Sequence, residues 1–310
     1  MAVKESAVKE SVKPARVNRI ARGAAGILIG IALLAAMDAV AKLLVIDGIH
    51  ALQILAMRSV IIVVALLVLF AAKRNLNELR PTRPWIQAIR GIVGIIAPLA
   101  FFLSLKSLPL TDAVVTFFTS AFAITIVSAL LLKERVGVHR WCAVIVGYIG
   151  VVIAMSPSGT GSLGGYALVL VSSVAYAGLF TSGRWLTETE SISSLVFSYN
   201  AGSGLVACLL LPWIWSTMQP GDWMLMSLLS LLAVTGHFAM TYAFSVAEAS
   251  SIAPFEYSAL LWAILFDYLL WDSQPVAATL LGAVIIVASA LYVLRREKIN
   301  QRKEQASAWS

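Results

Sequence analysis

Leu105-Lys106-Ser107-Leu108-Pro109-Leu110-Thr111-Asp112-Ala113-Val114 falls, 138 residues further along the chain, on Ala243-Phe244-Ser245-Val246-Ala247-Glu248-Ala249-Ser250-Ser251-Ile252. In the same register Leu132-Lys133-Glu134-Arg135 falls on Leu270-Trp271-Asp272-Ser273, which sets Glu134 on Asp272. Identities are few, but both copies open a helix with small residues and close it at an acid. The match reads as an internal repeat; the alternative is that apolar helices align through composition alone.

Working outward from that stretch, the 310 residues are 60% apolar and only 13% charged, with a mean hydropathy of +0.88. A water-soluble domain carries about a quarter charged residues, so there is too little polar sequence here to coat a soluble globule. A bilayer core needs about 20 apolar residues per helix. Ten segments meet that need to within a residue or two: Ala24–Ile46, His50–Ala72, Trp85–Leu105, Leu110–Leu132, Val138–Met155, Gly165–Trp185, Ser193–Trp215, Asp222–Val246, Ser250–Trp271 and Val276–Leu294. None has the strict alternation over about 10 residues that a membrane β-strand requires. The expected fold is therefore an all-α membrane protein of ten transmembrane helices, arranged as two five-helix repeats (24–158 and 159–294) between an N-terminal tail (1–23) and a C-terminal tail (295–310). Five is odd, so the second repeat enters the membrane inverted, an arrangement common in transporters.

The formal net charge of +7 suits a membrane surface better than nucleic acid once its placement is seen. Basic residues mark the cytoplasmic ends of spans. The N-terminal tail holds Lys4, Lys9, Lys13, Arg16, Arg19 and Arg22; the second connection Lys73, Arg74, Arg80 and Arg83; the fourth Lys133, Arg135 and Arg140; the sixth Arg184; the C-terminal tail Arg295, Arg296, Lys298, Arg302 and Lys303. These are 19 of the 23 basic residues, and the odd-numbered connections hold none. The pattern supports a multi-pass protein with both termini in the cytoplasm. The N-terminal tail repeats itself (Lys4-Glu5-Ser6-Ala7-Val8, then Lys9-Glu10-Ser11-Val12) and reads as an irregular or surface-lying arm, not a cleavable signal.

Leu108-Pro109-Leu110-Thr111-Asp112-Ala113, then Phe118-Thr119-Ser120 and Leu131-Leu132-Lys133-Glu134-Arg135, resemble the first repeat of EamA-type transporters of the drug/metabolite transporter superfamily. Ala249-Ser250-Ser251-Ile252-Ala253-Pro254-Phe255-Glu256-Tyr257 resembles the second, and Asp272-Ser273 departs from the Gly-Glu usual there. The resemblance spans Ala24 to Leu294. It implies ten helices, cytoplasmic termini, a bacterial inner membrane and a central cavity between the halves. Its substrate range is wide: amino-acid and metabolite exporters, and carriers of riboflavin or S-adenosylmethionine.

Charges inside hydrocarbon are costly, which makes each a candidate for function. At about 1.5 Å of rise per residue, Asp38 and Arg58 lie at equal depth on adjacent spans, each roughly 12 Å from one end, and are expected to pair. Lys42, one turn from Asp38, competes for its carboxylate. Arg90 and Glu256 lie roughly 9 Å inside the cytoplasmic end by the same rise. Lys106, Asp112 and Asp267 lie toward the outer mouth. Each of these serves either a water-filled substrate path or a latch between helices, and as a lining they suit a zwitterionic or charged metabolite.

Most tryptophans sit at span ends, as an interfacial belt. Trp262 is near mid-bilayer; with Tyr257, Tyr176, Phe180, Phe117 and Phe118 it forms a candidate aromatic pocket, against simple packing. His237 is at mid-depth. Gly159-Thr160-Gly161-Ser162-Leu163-Gly164 matches GxGxxG but joins two membrane helices without a preceding strand, so it reads as a connector. Cys142 and Cys208 form no CxxC. No metal site, cofactor, ATP-binding loop or hydrolase motif is expected. The reading is a secondary transporter of a small metabolite, an amino-acid or metabolite exporter first, an importer or exchanger of riboflavin or S-adenosylmethionine second, and an intramembrane enzyme as the non-transport alternative. Partners are the lipid bilayer, a small-molecule substrate and, if Asp38 or Glu256 titrates near neutral pH, protons; the chain is a monomer or homodimer.

Overall fold

A computed structural model describes residues 2–131, 138–154, 162–186, 189–246 and 253–307. Among these residues every regular element is helical. With no water inside a bilayer, a backbone that satisfies its own N–H and C=O groups within one segment is the form such apolar runs adopt. The helices are α1 (Ala2–Ile46), α2 (Ala51–Ala72), α3 (Pro84–Gly94), α4 (Ile96–Ser104), α5 (Leu110–Phe117), α6 (Thr119–Leu131), α7 (Val138–Ala154), α8 (Leu163–Leu186), α9 (Ile192–Ile214), α10 (Pro220–Val246), α11 (Ser258–Trp271) and α12 (Ala277–Ser307). Helix occupies all ten expected segments. Six stretches are long and apolar enough to cross a bilayer: Arg22–Ile46, Ala51–Ala72, Pro84–Ser104, Leu163–Gly183, Ile192–Ile214 and Pro220–Met240. Leu110–Ile124, Ile145–Ala154 and Ala277–Ser289 are shorter apolar helices.

Local chemistry sets the ends. Gly48 adopts φ +93° just after α1, a left-handed turn open to glycine. The His50 side chain then accepts from Leu52 N–H to cap α2, and Ser191 does the same for α9 through Ser194 N–H. Pro84 begins α3 where its missing N–H costs nothing. In the N-terminal arm α1 runs unbroken from Ala2. Glu5 and Lys9 stand four apart, a spacing that favours helix. Likewise α12 continues through the C-terminal tail to Ser307. Glu134 and Gly159 to Gly161, singled out above, lie outside the described residues.

The two sequence halves interlock. α1 lies along α10, α2 and α3 along α9, α4 and α6 along α8, and α7 along α12, so most helices rest on one from the other half. Lipid tails are as apolar as leucine, so close packing rather than burial from water joins such helices, and small residues permit it. A Cβ on Gly91 of α3 would stand 2.8 Å from Gly202 Cα of α9, and one on Gly282 of α12 would stand 2.4 Å from the Gly150 carbonyl oxygen of α7. Large apolar side chains face outward on the periphery, among them Leu209, Val152, Leu261 and Val284.

The break in the first repeat and a tight turn in the second fall at the same register position. α5 gives way to α6 at Phe118. The corresponding residue 138 positions on, Glu256, lies in a 3-10 turn, Ala253–Tyr257, which leads into α11. The Phe118 and Tyr257 rings meet there, centroids 5.3 Å apart. The densest core lies toward the end of the bundle that carries the Asp47-Gly48 turn: Leu44, Ile54, Leu55, Phe102, Leu105 and Leu110 are all fully buried there. This end is called the Asp47 face below, and the opposite end the Arg83 face.

Candidate functional site

At the Asp47 face, Asp267 of α11 is 1% exposed and joins three partners. Its Oδ1 accepts from Lys42 Nζ on α1 at 2.9 Å and from Leu110 N–H at 2.9 Å, and its Oδ2 accepts from Thr111 N–H at 2.6 Å. Pro109 gives α5 no side-chain cap, so a carboxylate from another helix serves the free N–H groups of its first turn, where negative charge is favoured. Lys42 Nζ also stands 4.0 Å from the Trp271 ring centroid. One position beyond Thr111, the Asp112 carboxylate accepts from the Tyr166 hydroxyl at 3.0 Å and from Thr279 Oγ1 at 2.8 Å. The cluster thus binds α1 and α5 of the first half to α8, α11 and α12 of the second. Lys42 therefore meets Asp267 and not the expected Asp38: α11 packs on α1 and brings a carboxylate that sequence distance conceals. Lys106 stands exposed past the end of α4.

Deeper in the bundle the polar groups are sparser and less satisfied. Arg58 on α2 is 8% exposed. Its Nη1 has Met37 Sδ at 4.0 Å, its guanidinium lies 5.8 Å from the Phe102 ring centroid, and its Nε has no hydrogen-bond partner. Asp38 is half-buried on α1 and within electrostatic range of Arg58. Among the described residues the two do not close an ion pair within 4.0 Å; Lys42–Asp267 does. Equal depth was legible, but depth leaves rotation about each helix axis open. Tyr199 of α9 interacts electrostatically with both Arg58 and Arg90. Arg90 lies 5.9 Å from the Tyr199 ring, its Nη1 donates to Gln87 Oε1 at 3.4 Å and to the Leu195 carbonyl at 3.3 Å, and its Nε has no partner. Gly94 leaves the space that the Tyr199 ring occupies, since a Cβ there would lie 2.8 Å from the ring. His237 of α10 also feels the Arg58 charge.

Aromatic side chains continue this lining. Phe101, Phe117 and Tyr176 stack edge-to-face in series, with centroids 5.3 Å apart at each step. Glu256 stands within electrostatic range of Tyr176 and Tyr257. Trp262 instead stacks on Phe266 at 6.3 Å and packs against Ile27 and Ile31 of α1. Phe180 lies on α8, its side chain outside the described atoms.

A second clamp closes one side of the Arg83 face. Glu190, 7% exposed between α8 and α9, accepts from Thr82 N–H at 3.0 Å, Arg83 N–H at 2.8 Å and Ser194 Oγ at 3.2 Å. Glu78 accepts from Ser193 Oγ at 2.9 Å nearby, and Arg83 lies 5.2 Å over Trp185. Among the described residues no group of three His, Cys, Asp or Glu side chains has the arrangement for a metal ion. Sequence reading missed Tyr199, Tyr166, Gln87 and Glu190. For Tyr199 the signal was present: Tyr199, Asn200 and Ser203 are polar residues in mid-span.

Buried charges at membrane depth, repeated halves and interlocked packing define a multi-pass membrane protein of the solute-transporter type. Comparison narrows the class: the EamA-like transporter family model matches twice, at residues 21–156 and 163–295, and the chain belongs to this family. It is a membrane transporter. It is similar to an S-adenosylmethionine uptake transporter of Rickettsia prowazekii (strain Madrid E), 24% identical over 74% of this chain and 79% of the relative. It also resembles the pseudopaline exporter CntI of Pseudomonas aeruginosa (strain UCBPP-PA14), 28% identical over 68% and 75%, and a riboflavin transporter of Rhizobium johnstonii, 29% identical over 76% and 78%. A solved crystal structure shares the fold with a TM-score of 0.61 at 16% identity, covering 88% of this chain and 98% of that one.

Proposed function

We propose that the protein is a secondary transporter that exports a small amino-acid-like metabolite across a bacterial inner membrane by alternating access. In this reading the ten helical segments are ten spans in two inverted repeats, and both termini lie in the cytoplasm. The basic residues then assign the Arg83 face to the cytoplasm and the Asp47 face to the outside. The observation that carries the reading is the contrast between the two levels of the bundle. The Asp47 face is closed by the hydrogen-bonded carboxyl groups of Asp267 and Asp112, with partners drawn from both halves, whereas among the described residues Arg58, Asp38 and Arg90 below it close no ion pair within 4.0 Å. A structure closed on the outside with unsatisfied charge beneath suits a carrier waiting for solute from the cytoplasm. Substrate enters from that side, the inner ends close, the Asp267 cluster parts, and the solute leaves outward. Asp38 or Glu256 is the candidate for proton coupling.

Uptake is the second reading, favoured by the relatives named as uptake transporters of S-adenosylmethionine. The two are separated by flux in proteoliposomes of known orientation, measured with an imposed pH gradient of either sign. Asp38→Asn is expected to abolish transport while the protein stays folded in the membrane. Flux equal to the parent's would remove Asp38 from the mechanism.

A further inference from the structure

We infer that Arg58, with Arg90 also in reach of Tyr199, forms an anion subsite that holds the carboxylate of a zwitterionic substrate whose cationic end faces Asp38. The inference rests on the transporter reading and adds to it the polarity of the bound solute.

The argument starts from donors without acceptors. A guanidinium carries five N–H groups and stays charged at any pH a cell meets. Arg58 is 8% exposed, and what the described residues offer it is a thioether sulfur at 4.0 Å and the face of Phe102. Arg90 reaches two neutral oxygens, both at long range, through one nitrogen. Among the described residues Arg58 Nε, Arg90 Nε and Gln87 Nε2 have no partner, and Gln87 is 1% exposed. A buried cation is tolerated when an anion with good geometry completes it. No carboxylate of the described residues lies within 4.0 Å of either guanidinium; the ion pair that does close is spent on Lys42 and Asp267. These are two cations on consecutive helical segments, both in electrostatic reach of the same tyrosine and each with an Nε that finds no partner among the described residues.

The surrounding charge selects among anions. Asp38 lies in range of Arg58, and Glu256 beyond Tyr176. Two guanidiniums and two carboxyl groups, one of which is the candidate carrier of the coupled proton, leave the lining between neutral and one excess positive charge, which suits a zwitterion better than a dianionic phosphate. A planar guanidinium matches a carboxylate fork-to-fork. The Phe101–Phe117–Tyr176 series gives the rest of the molecule an aromatic wall. Arg58 as a packing cation over Phe102 is the competing role, and it makes the opposite stability prediction. If Arg58 serves packing, Arg58→Met lowers the melting temperature of the ligand-free protein. If Arg58 waits for an anion, removing an unpaired buried charge leaves that temperature unchanged or raises it.

The test uses the full chain in nanodiscs. Melting temperature is recorded for the parent, Arg58→Met and Arg58→Lys, alone and with a panel of L-amino acids and S-adenosylmethionine; for each compound that binds, its carboxamide and phenyl phosphate are run beside it. At least one panel zwitterion is expected to bind the parent, with its carboxamide about 30- to 100-fold weaker, the weight of losing a charged hydrogen-bonding group. Arg58→Met is expected to lose that discrimination without melting earlier, and Arg58→Lys to keep part of it. Earlier melting of Arg58→Met, equal binding of acid and amide, binding of phenyl phosphate as tight as the zwitterion's, or no binding by any panel member would overturn the subsite. Failure of the transport reading looks different: Arg58-dependent binding with no flux in proteoliposomes.

Discussion

Replacing Asp267 by asparagine isolates what the sealed Asp47 face is for. The carboxylate is 1% exposed and holds Lys42 Nζ at 2.9 Å, Leu110 N–H at 2.9 Å and Thr111 N–H at 2.6 Å. Asparagine keeps the shape and a carbonyl acceptor for the α5 amides but removes the charge. Lys42, 5% exposed, is left with the Trp271 ring at 4.0 Å. Removing one partner of a buried pair costs about 3–5 kcal/mol, and a desolvated cation–π contact returns up to about 2 kcal/mol. A net cost of roughly 1–3 kcal/mol therefore falls on the sealed state. Water reaching Lys42 relieves that cost, so the equilibrium moves toward the open state by about 5- to 150-fold. Thr116, 0% exposed on α5 just past Asp112, reports the change. With Cys142 and Cys208 replaced by serine, a cysteine placed by Thr116→Cys is labelled with a membrane-impermeant maleimide added from outside the cell. Labelling is expected to speed up at least about fivefold in Asp267→Asn, the low end of the shift above. An unchanged rate in a variant that melts earlier would refute the reasoning and make the cluster a fixed tie.

Glu190→Ala removes the acceptor shared by Thr82 N–H, Arg83 N–H and Ser194 Oγ; it is expected to destabilise the protein by about 2–4 kcal/mol, read as a lower melting temperature in micelles and faster proteolysis near residue 80. In Gly202→Val the new Cβ would lie 2.9 Å from Gly91 Cα. It is expected to part α3 from α9 at a cost of about 1–3 kcal/mol, again read by melting, while Gly221→Val, where nothing lies within 4 Å, leaves melting unchanged.

What the sequence reveals follows from which physical constraints are local. Apolar length and the one-sided placement of Lys and Arg act on each segment by itself, so the helical segments were legible one at a time. The repeat was legible through the match of 105–114 with 243–252, and in the structure the α5–α6 break at Phe118 and the 253–257 turn fall in the same register. The site was legible as a set of costly residues, not as a set of contacts. Rise per residue put Asp38 and Arg58 at one depth, but the angle about each axis leaves them short of an ion pair. Lys42 and Asp267 are 225 residues apart, and their meeting depends on α11 packing against α1, which no spacing encodes. Tyr199 lacks a charge and so escaped a search for charges, although it interacts with two of them. Glu190 escaped because it sits in a short connection, where an acid is unremarkable until its acceptor oxygens are seen facing three donors.

The central claim is that the chain carries a zwitterion across the membrane through this lining. Counterflow tests it most directly: proteoliposomes loaded with an unlabelled panel amino acid or S-adenosylmethionine, placed in a trace of the same compound in labelled form. The account predicts transient accumulation of label for at least one compound in parent vesicles, and none for Asp38→Asn or Arg58→Met protein that melts normally. Label at the protein-free background for every compound, or accumulation undiminished in both variants, would contradict it.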